Sequence, residues 1–152
     1  AEPAVQALRQ FRAVFNAVRT HFQQMEKQVG VGGALVWALS EIQRTPGLGM
    51  NNLARAMDIH QSTASNLVRQ LLKRGLVRIE KSTVDRRSIH LHLEPSALPL
   101  LRRVPGPHQG LMPDALRQLP PEVLAQLSVS LGQLIPLLKA DEAGAAVPLA
   151  QL

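Results

Sequence analysis

The chain has 152 residues, enough to fold as one domain with a proper core, and its 45% hydrophobic and 18% charged residues are typical of a globular protein rather than a disordered one. Its net charge of +6 favours an anionic partner. It contains no cysteine, which excludes disulfides, zinc sites with thiolate ligands and redox sensing through cysteine.

The beginning of the chain predicts an amphipathic helix from Val5 to about Gln28. Apolar residues recur there at intervals of three or four positions, as one face of a helix requires. They are Val5, Leu8, Phe11, Phe15, Val18, Phe22 and Met25. This pattern does not fit a signal peptide, and no apolar run approaches the length that spans a membrane. We therefore expect a cytoplasmic protein with no membrane partner.

Two more helices are predicted before the middle of the chain. Glycines at positions 30, 32 and 33 end the first helix, and an apolar stretch predicts a second over Leu35–Arg44. Thr45, Pro46 and Gly47 form a turn signal that ends this second helix. A third helix is expected over Asn51–Met57, with its apolar residues facing inward.

A fourth helix follows a short turn at Asp58–His60 and covers Gln61–Arg74. Its predicted buried stripe consists of Ala64, Leu67, Val68, Leu71 and Leu72. Gly75 falls where a left-handed residue commonly ends a helix. Alternating apolar and polar residues then predict a half-buried β-hairpin made of Val77–Lys81 and Ser88–Leu93, joined by a charged tip.

The order of helix, turn, helix and basic hairpin predicts a winged helix-turn-helix between Leu48 and Leu93. The fold class is therefore mainly α with a small β-hairpin wing, flanked by N- and C-terminal helices. Such a helix fits the major groove of duplex DNA, so the expected chemistry is DNA binding rather than catalysis. From Arg55 to His92, eight Lys or Arg stand against three acids, which places +5 of the net +6 in a quarter of the chain. A solvated basic face is the simpler alternative.

Six polar residues of the fourth helix are predicted to reach the groove. They are Gln61, Ser62, Thr63, Ser65, Asn66 and Arg69. Asparagine and glutamine pair with adenine and arginine with guanine, but phosphate and sugar take half or more of the hydrogen bonds, so about half of the six are expected to touch bases. Ser62 or Thr63 could instead cap the helix or hold a phosphate. Arg55 and Lys81 are further candidates for phosphate contacts.

The C-terminal third predicts three helical segments and an irregular tail. The first covers Ala97–Arg103 and must be interrupted by Val104-Pro105-Gly106-Pro107, because proline cannot continue it. The second covers Leu111–Leu119, and Pro121 opens a leucine-rich last helix. Residues 140–152 show no regular pattern and are predicted to be loose.

The first and last helices carry more apolar surface than a small winged module requires. That surface could cover the core of the same chain, or it could be buried against a second subunit at roughly 25 cal/mol per Å² removed from water. We favour a homodimer, because a two-fold dimer brings two DNA-binding helices to successive major grooves.

No metal, cofactor or catalytic group is expected. His90 and His92 share one face of a strand, but no carboxylates stand at ligand spacing, so surface or hydrogen-bonded positions are the better interpretation. His108 could line a pocket. Ser62 lies on an exposed helix without a histidine–aspartate pair, so an enzyme is disfavoured. Trp37 is assigned to the core, with pocket lining as the alternative.

Several short motifs at consistent spacing resemble the MarR family of bacterial transcriptional regulators. They are Leu53-Ala54, Ser62-Thr63-Ala64-Ser65, Leu71, Lys73-Arg74-Gly75-Leu76-Val77 and Asp85-Arg86-Arg87-Ser88. The resemblance covers roughly Trp37 to Leu93, and it reaches the flanking helices in pattern only. The chain departs from the family in its prolines at 105 and 107, because the helix there is usually continuous and forms a wall of the ligand pocket.

The resemblance implies one MarR-like domain over residues 1–152. Residues from about 35 to 94 would form the winged DNA-binding region, and residues from about 4 to 30 and 96 to 140 the dimerisation helices. A homodimer would bind a pseudo-palindromic operator on double-stranded DNA as a repressor, with release by a small aromatic or phenolic effector. In the wing, Arg87 would enter the minor groove, Asp85 would orient it, and Arg86 would contact a phosphate. The alternative is a non-specific or architectural winged module.

Overall fold

The structure is a computed structural model that describes residues 2–82, 84, 88–104, 108, 110–138 and 145–151. Seven α-helices and one two-stranded antiparallel sheet follow one another in that part of the chain. Their bounds are α1 Pro3–Val29, α2 Gly33–Arg44, α3 Met50–Met57, α4 Gln61–Lys73, β1 Val77–Lys81, β2 Ile89–Leu93, α5 Ala97–Arg103, α6 Leu111–Gln118 and α7 Pro121–Leu137. The predicted fold class, mainly helical with a small hairpin, is confirmed.

α1 is a long helix that buries little of its apolar stripe in its own chain. Pro3 occupies the first position, where its missing N–H has no partner to lose, and Gly30 ends the helix in the left-handed conformation at φ 72°. Within the described chain, Met25 is the one buried residue of α1. Phe15, in contrast, is 65% exposed. The predicted helix is confirmed, and three of the seven residues of its stripe, Val5, Leu8 and Phe15, are exposed.

α2 is the central helix of the fold, because it packs against α3, α4, α5 and β2. It begins at Gly33, two residues before the predicted start. Glu41 is buried on this helix, where its carboxylate accepts a hydrogen bond from Trp37 Nε1 at 3.3 Å and pairs with Arg44. Trp37 packs half-buried against the core, as the core assignment predicted.

A tight turn orients α4 against α2 and α3. α3 is followed by Asp58 in the left-handed conformation at φ 54°, which a short polar side chain tolerates better than a branched one. The Ile59 N–H then donates to the carbonyl oxygen of Ala54 at 2.9 Å. Four of the five residues in the predicted stripe of α4 are buried. The exception is Leu72, which is 39% exposed because each helical residue turns about 100° from the one before it.

A Schellman motif ends α4 at the predicted glycine. Gly75 has φ 69°. Its N–H donates to the carbonyl oxygen of Leu72 at 3.0 Å, and the N–H of Leu76 donates to the carbonyl oxygen of Leu71 at 3.0 Å. The chain thereby leaves the helix directly into β1.

The hairpin is fastened to the helices by a bridge that the sequence did not predict. β1 pairs with β2 in a register from Val77 opposite Leu93 to Lys81 opposite Ile89. The N–H of Leu91 donates to the carbonyl oxygen of Leu48 at 2.9 Å, outside the hairpin itself. Leu91 is also fully buried. Leu48, just after the turn at 45–47, therefore holds the middle of β2 against the helical body.

The C-terminal helices are separate pieces, as predicted. α5 ends at Arg103, with Val104 as its C-cap, and α6 begins at Leu111. The prolines at 105 and 107 lie outside the described residues. α7 begins at Pro121 and buries none of its residues within the described chain. Among the helices that the structure describes, none is both long and apolar enough to cross a membrane.

The loose tail predicted over residues 140–152 is wrong for the part of it that is described. Residues 145–151, hereafter the strap, contain a buried Pro148 and a 3₁₀ turn at Leu149–Gln151. The strap packs against α1 and α2. Its sequence has neither a helical nor a strand period, so its docking depends on tertiary contacts that a pattern does not reveal.

Candidate nucleic-acid interface

α4 presents a continuous polar row on the side away from the core. The row consists of Ser62, Asn66, Arg69 and Lys73, all exposed. Their spacing of four, three and four residues aligns them along one face of the helix. Gln61 is exposed at the first turn, whereas Thr63 and Ser65 lie half-buried at the sides of the row. Four of the six predicted residues are therefore exposed, and three of these four belong to the row.

Lys73 is the residue of this row that the sequence prediction omitted. It is exposed one turn after Arg69 and continues the row to the end of α4. The sequence contained enough information to include Lys73, since a spacing of four residues places two side chains on the same face of a helix. With Lys73 included, the row has two polar side chains near the helix start and two cations near its end.

The first turn of α4 has backbone donors and no side-chain cap. His60 is the N-cap and has an extended backbone at φ −64° and ψ 148°, with no hydrogen bond from its side chain to the helix. The first helical bond is from the N–H of Ala64 to the carbonyl oxygen of His60, at 3.0 Å. Capping by Ser62 or Thr63 is therefore wrong, because both lie inside the helix. The N–H groups of the first turn and the positive end of the helix dipole suit an anionic oxygen.

The cations of this region divide into two groups. Arg74 donates from Nη1 to the carbonyl oxygen of Gly30 at 3.1 Å, and Arg78 donates from Nη1 to the carbonyl oxygen of Leu93 at 2.9 Å. These two guanidiniums stabilise the fold through their hydrogen bonds to the backbone. Arg69, Lys73 and Lys81 make no hydrogen bond or ion pair with any described residue. The second group is therefore available to an anionic partner.

The wing extends from the helical body with Lys81 near its tip. Lys81 is exposed at the end of β1, and the N–H of Ser82 continues the pairing to the carbonyl oxygen of Ser88 at 3.0 Å. Val84 is 95% exposed. Asp85, Arg86 and Arg87 lie outside the described residues, so their predicted roles remain predictions.

The two histidines of β2 make polar contacts that shape the hairpin. His90 Nδ1 lies 3.0 Å from the carbonyl oxygen of Gly47, and His92 Nε2 lies 3.3 Å from Glu80 Oε2. The first contact ties the wing to the turn after α2, and the second crosses between the paired strands. Both histidines therefore have contacts within the fold, and His90 has the hydrogen bond that one of the two interpretations predicted.

Two clefts lie beside the helical body. The larger, of about 560 Å³, is lined by one face of α1, the start of α2, Met112 and the strap. Its walls are largely apolar, and Val14, Phe15, Val18, Phe22 and Leu149 are among them. The smaller cleft, of about 390 Å³, lies between α2 and α6 and is polar, with Arg44, Arg117 and His108 in its lining. His108 therefore lines a pocket, which is one of the positions that the sequence allowed for it. Trp37 lines neither of these two clefts.

The helix-turn-helix region is similar in sequence to known proteins. Residues 30–88 match the model of the MarR family. A protein of Thauera aromatica with a proposed role as transcriptional regulatory protein for the hcr operon is 33% identical over 93 residues. Those residues are 61% of this chain and 56% of the relative, so the match spans little more than half of that protein.

Solved structures share the larger part of the fold. Sco3205, a MarR family transcriptional regulator from Streptomyces coelicolor solved in complex with DNA, is 26% identical, and the match covers 97% of this chain and 95% of that chain with a TM-score of 0.62. The MepR–DNA complex of S. aureus is 21% identical over 84% of this chain and 94% of that chain, with a TM-score of 0.60, and shows the fold alone. Residues 30–88, which contain the helix-turn-helix and β1, therefore match the MarR family in sequence, and the chain is similar in fold to MarR family regulators.

Proposed function

We propose that this protein is a sequence-specific DNA-binding transcriptional regulator that acts as a homodimer and represses genes near its operator. The observation that carries the proposal is the polar row on α4, which ends in two cations that no described residue neutralises. A row of side chains along one helix matches the way a recognition helix reads base edges in the major groove. Sco3205, solved with DNA, supports the same use of the shared fold.

Within this proposal, base reading falls to the centre of the row. Asn66 pairs with adenine and Arg69 with guanine, because these side chains match the hydrogen-bonding edges of those bases in the major groove. Gln61, Ser62, Thr63 and Ser65 supply further polar contacts from the first turns. Lys73 is placed to neutralise a phosphate.

The wing contributes the second set of contacts in the proposal. Lys81 approaches a phosphate, Arg87 enters the minor groove with Asp85 orienting its guanidinium, and Arg86 contacts the backbone. Exposure of Lys81 at the end of β1 supports the first of these assignments. The others follow from the motif, and unchanged operator affinity in an Arg87→Ala variant would show the minor-groove role to be wrong.

The proposed homodimer uses the apolar surfaces that the monomer leaves open. α7 buries no residue within the described chain, and Val129 and Leu137 on it are 57% and 81% exposed. Phe15 on α1 is similarly open. Helices from about 4 to 30 and 96 to 140 thus form the dimerisation region, with the winged region at about 35–94 between them in sequence. Removing such surfaces from water stabilises a dimer by roughly 25 cal/mol per Å².

The proposal also includes a small-molecule effector. The apolar cleft of about 560 Å³ has the size and lining that small-molecule sites commonly show. A small aromatic or phenolic compound there would act by changing the spacing or orientation of the two recognition helices, because a ligand shifts an equilibrium only through its different affinity for the two states. Release from the operator follows if the compound favours the state that fits DNA poorly.

The test is a binding titration with duplexes selected from a random pool, at two salt concentrations, with the mass of the complex measured in parallel. A two-fold-symmetric selected site bound by a dimer is the expected result. Salt-sensitive binding without any selected sequence would instead support the second candidate, a non-specific or architectural DNA-binding module, which the net positive charge of the winged region favours.

A further inference from the structure

The strap at residues 145–151 touches two functionally different places at once. At one end, the carbonyl oxygen of Ala146 accepts a hydrogen bond from the N–H of His60 at 3.3 Å. His60 is the N-cap of α4. At the other end, Ala150 packs against the hydrophobic core beside the start of α2. Three residues lie between Ala146 and Ala150, so the Cα atoms of these two residues are at most about 14 Å apart.

Close packing at the second end explains why the strap fits there. A Cβ on Gly33 would stand 3.2 Å from the Cβ of Ala150 and about 2.6 Å from Cε1 of Phe22. A Cβ on Gly110 would stand 2.7 Å from Cζ of the same ring. Phe22 is therefore enclosed by two glycines, and a small side chain at position 150 completes the corner. A longer or charged side chain at position 150 would have to extend from this corner into the apolar cleft that Ala150 also lines.

The same end of the strap forms part of the larger cleft. Leu149 and Ala150 line it opposite the face of α1 that carries Phe15 and Val18. Pro148, just before them, is buried. The strap therefore forms part of the wall of the cleft and, through Ala146, also contacts the N-cap of α4.

We propose that the strap is an intramolecular clamp that links the occupancy of the apolar cleft to the first turn of α4. With the strap docked, Ala146 holds His60 and the recognition helix starts from a fixed position. When a small apolar molecule fills the cleft and displaces Leu149 and Ala150, the hydrogen bond to His60 is lost and the first turn of α4 loosens. The role in DNA binding rests on the proposed function, whereas the clamp itself does not.

Two matched variants test the clamp without DNA. Ala150→Glu introduces charge and bulk at the packed corner, and Ala145→Glu introduces the same side chain at an exposed position of the same segment. Amide hydrogen exchange is the measurement, because the N–H of His60 has its hydrogen bond to Ala146 only while the strap is docked. Exchange at His60 should be faster in Ala150→Glu and in a chain lacking residues 145–151, and unchanged in Ala145→Glu.

Amides of the core helix α2 serve as the internal reference for intact folding. Faster exchange at His60 with unchanged exchange at Leu39 supports the clamp. Equal exchange at His60 in the parent chain, in Ala150→Glu and in the deletion overturns it. If exchange in Ala150→Glu rises at Leu39 as well as at His60, the substitution has disturbed the whole fold. The deletion then decides the question, because it removes the strap without introducing a charge.

A DNA measurement then tests the link to recognition. Binding to a loosened first turn must include the cost of ordering it, so Ala150→Glu should bind the selected duplex about three- to tenfold more weakly than Ala145→Glu. Equal affinity of the two variants, with the exchange difference present, overturns the link to recognition and leaves the clamp. Absence of any selected duplex would count against the proposed function instead, and the exchange result would still decide the clamp.

Discussion

Arg74 donates a hydrogen bond from Nη1 to the carbonyl oxygen of Gly30, 3.1 Å away, and so ties the end of α4 to the residue that ends α1. Its neighbour Lys73 makes no such contact with any described residue. The two adjacent cations therefore differ in role. Arg74 anchors the end of the helix in the fold, whereas Lys73 is exposed on the polar row. Substitutions at the two positions should separate stability from binding.

The Lys73→Ala variant should bind all duplexes more weakly and show a smaller salt dependence. Loss of one phosphate contact lowers the slope of log affinity against log salt by about one. Arg74→Ala is the matched control, because it removes a neighbouring positive charge that is engaged with Gly30. It should lower Tm modestly and leave the salt slope nearly intact. An unchanged salt slope in Lys73→Ala would show that Lys73 contacts no phosphate and that the DNA-contacting part of the row ends before it.

The Arg69→Ala variant should lose discrimination as well as affinity. A bidentate arginine–guanine pair contributes about 1–3 kcal/mol of preference for the correct base, so the loss should concentrate at one base-pair position in each half-site. The measurement is a competition among duplexes that differ at single positions. Arg102→Ala, which removes an exposed arginine on α5, is the control and should leave the selected sequence unchanged. A uniform loss across all duplexes would assign Arg69 to a phosphate.

Local patterns in the sequence were sufficient to predict the helix-turn-helix. The apolar stripe of α4 has the period of a helix, and Gly75 marks its end because few other residues adopt φ near 69°. The prolines at 105 and 107 predicted separate helices, and α5 and α6 are separate. Each of these features depends on neighbouring residues, which is why periodicity and turn chemistry were enough.

Features that depend on distant contacts could not be predicted in this way. The bridge between Leu48 and Leu91 joins residues far apart in sequence, and no local signal announces it. The engagement of Arg74 with Gly30 is another case, since a count of charges treats every arginine as equally available. The docking of the strap depends on Gly33 and Phe22, which create the corner that Ala150 fills.

The glycine at position 33 should be intolerant of a side chain. A Cβ there would overlap the ring of Phe22 and press on Ala150, so Gly33→Ala should lower the free energy of unfolding by about 1–3 kcal/mol, the usual cost of overpacking. Gly32→Ala is the control, because a Cβ on Gly32 meets nothing within 4 Å. Chemical denaturation of the two variants gives the comparison. Equal stability would mean that the Phe22 ring moves aside at little cost.

The leucines of α7 should control assembly. Leu127, Leu131 and Leu134 recur at intervals of four and three residues and are half-buried, while Val129 and Leu137 are still more exposed, so the helix has more apolar surface than its own chain covers. Leu131→Asp places a carboxylate in this stripe, where burial against a second subunit would leave the charge without a partner.

The expected result is a shift from dimer to monomer at micromolar concentration, measured as mass in solution. Gln133→Asp is the control, since it introduces the same carboxylate at an exposed position of the same helix and should leave the dimer intact. Affinity for a two-fold-symmetric duplex should fall together with the dimer, because a monomer engages only one half-site at a time. A Leu131→Asp protein that remains dimeric would move the interface away from α7 and leave α1 as its main contributor.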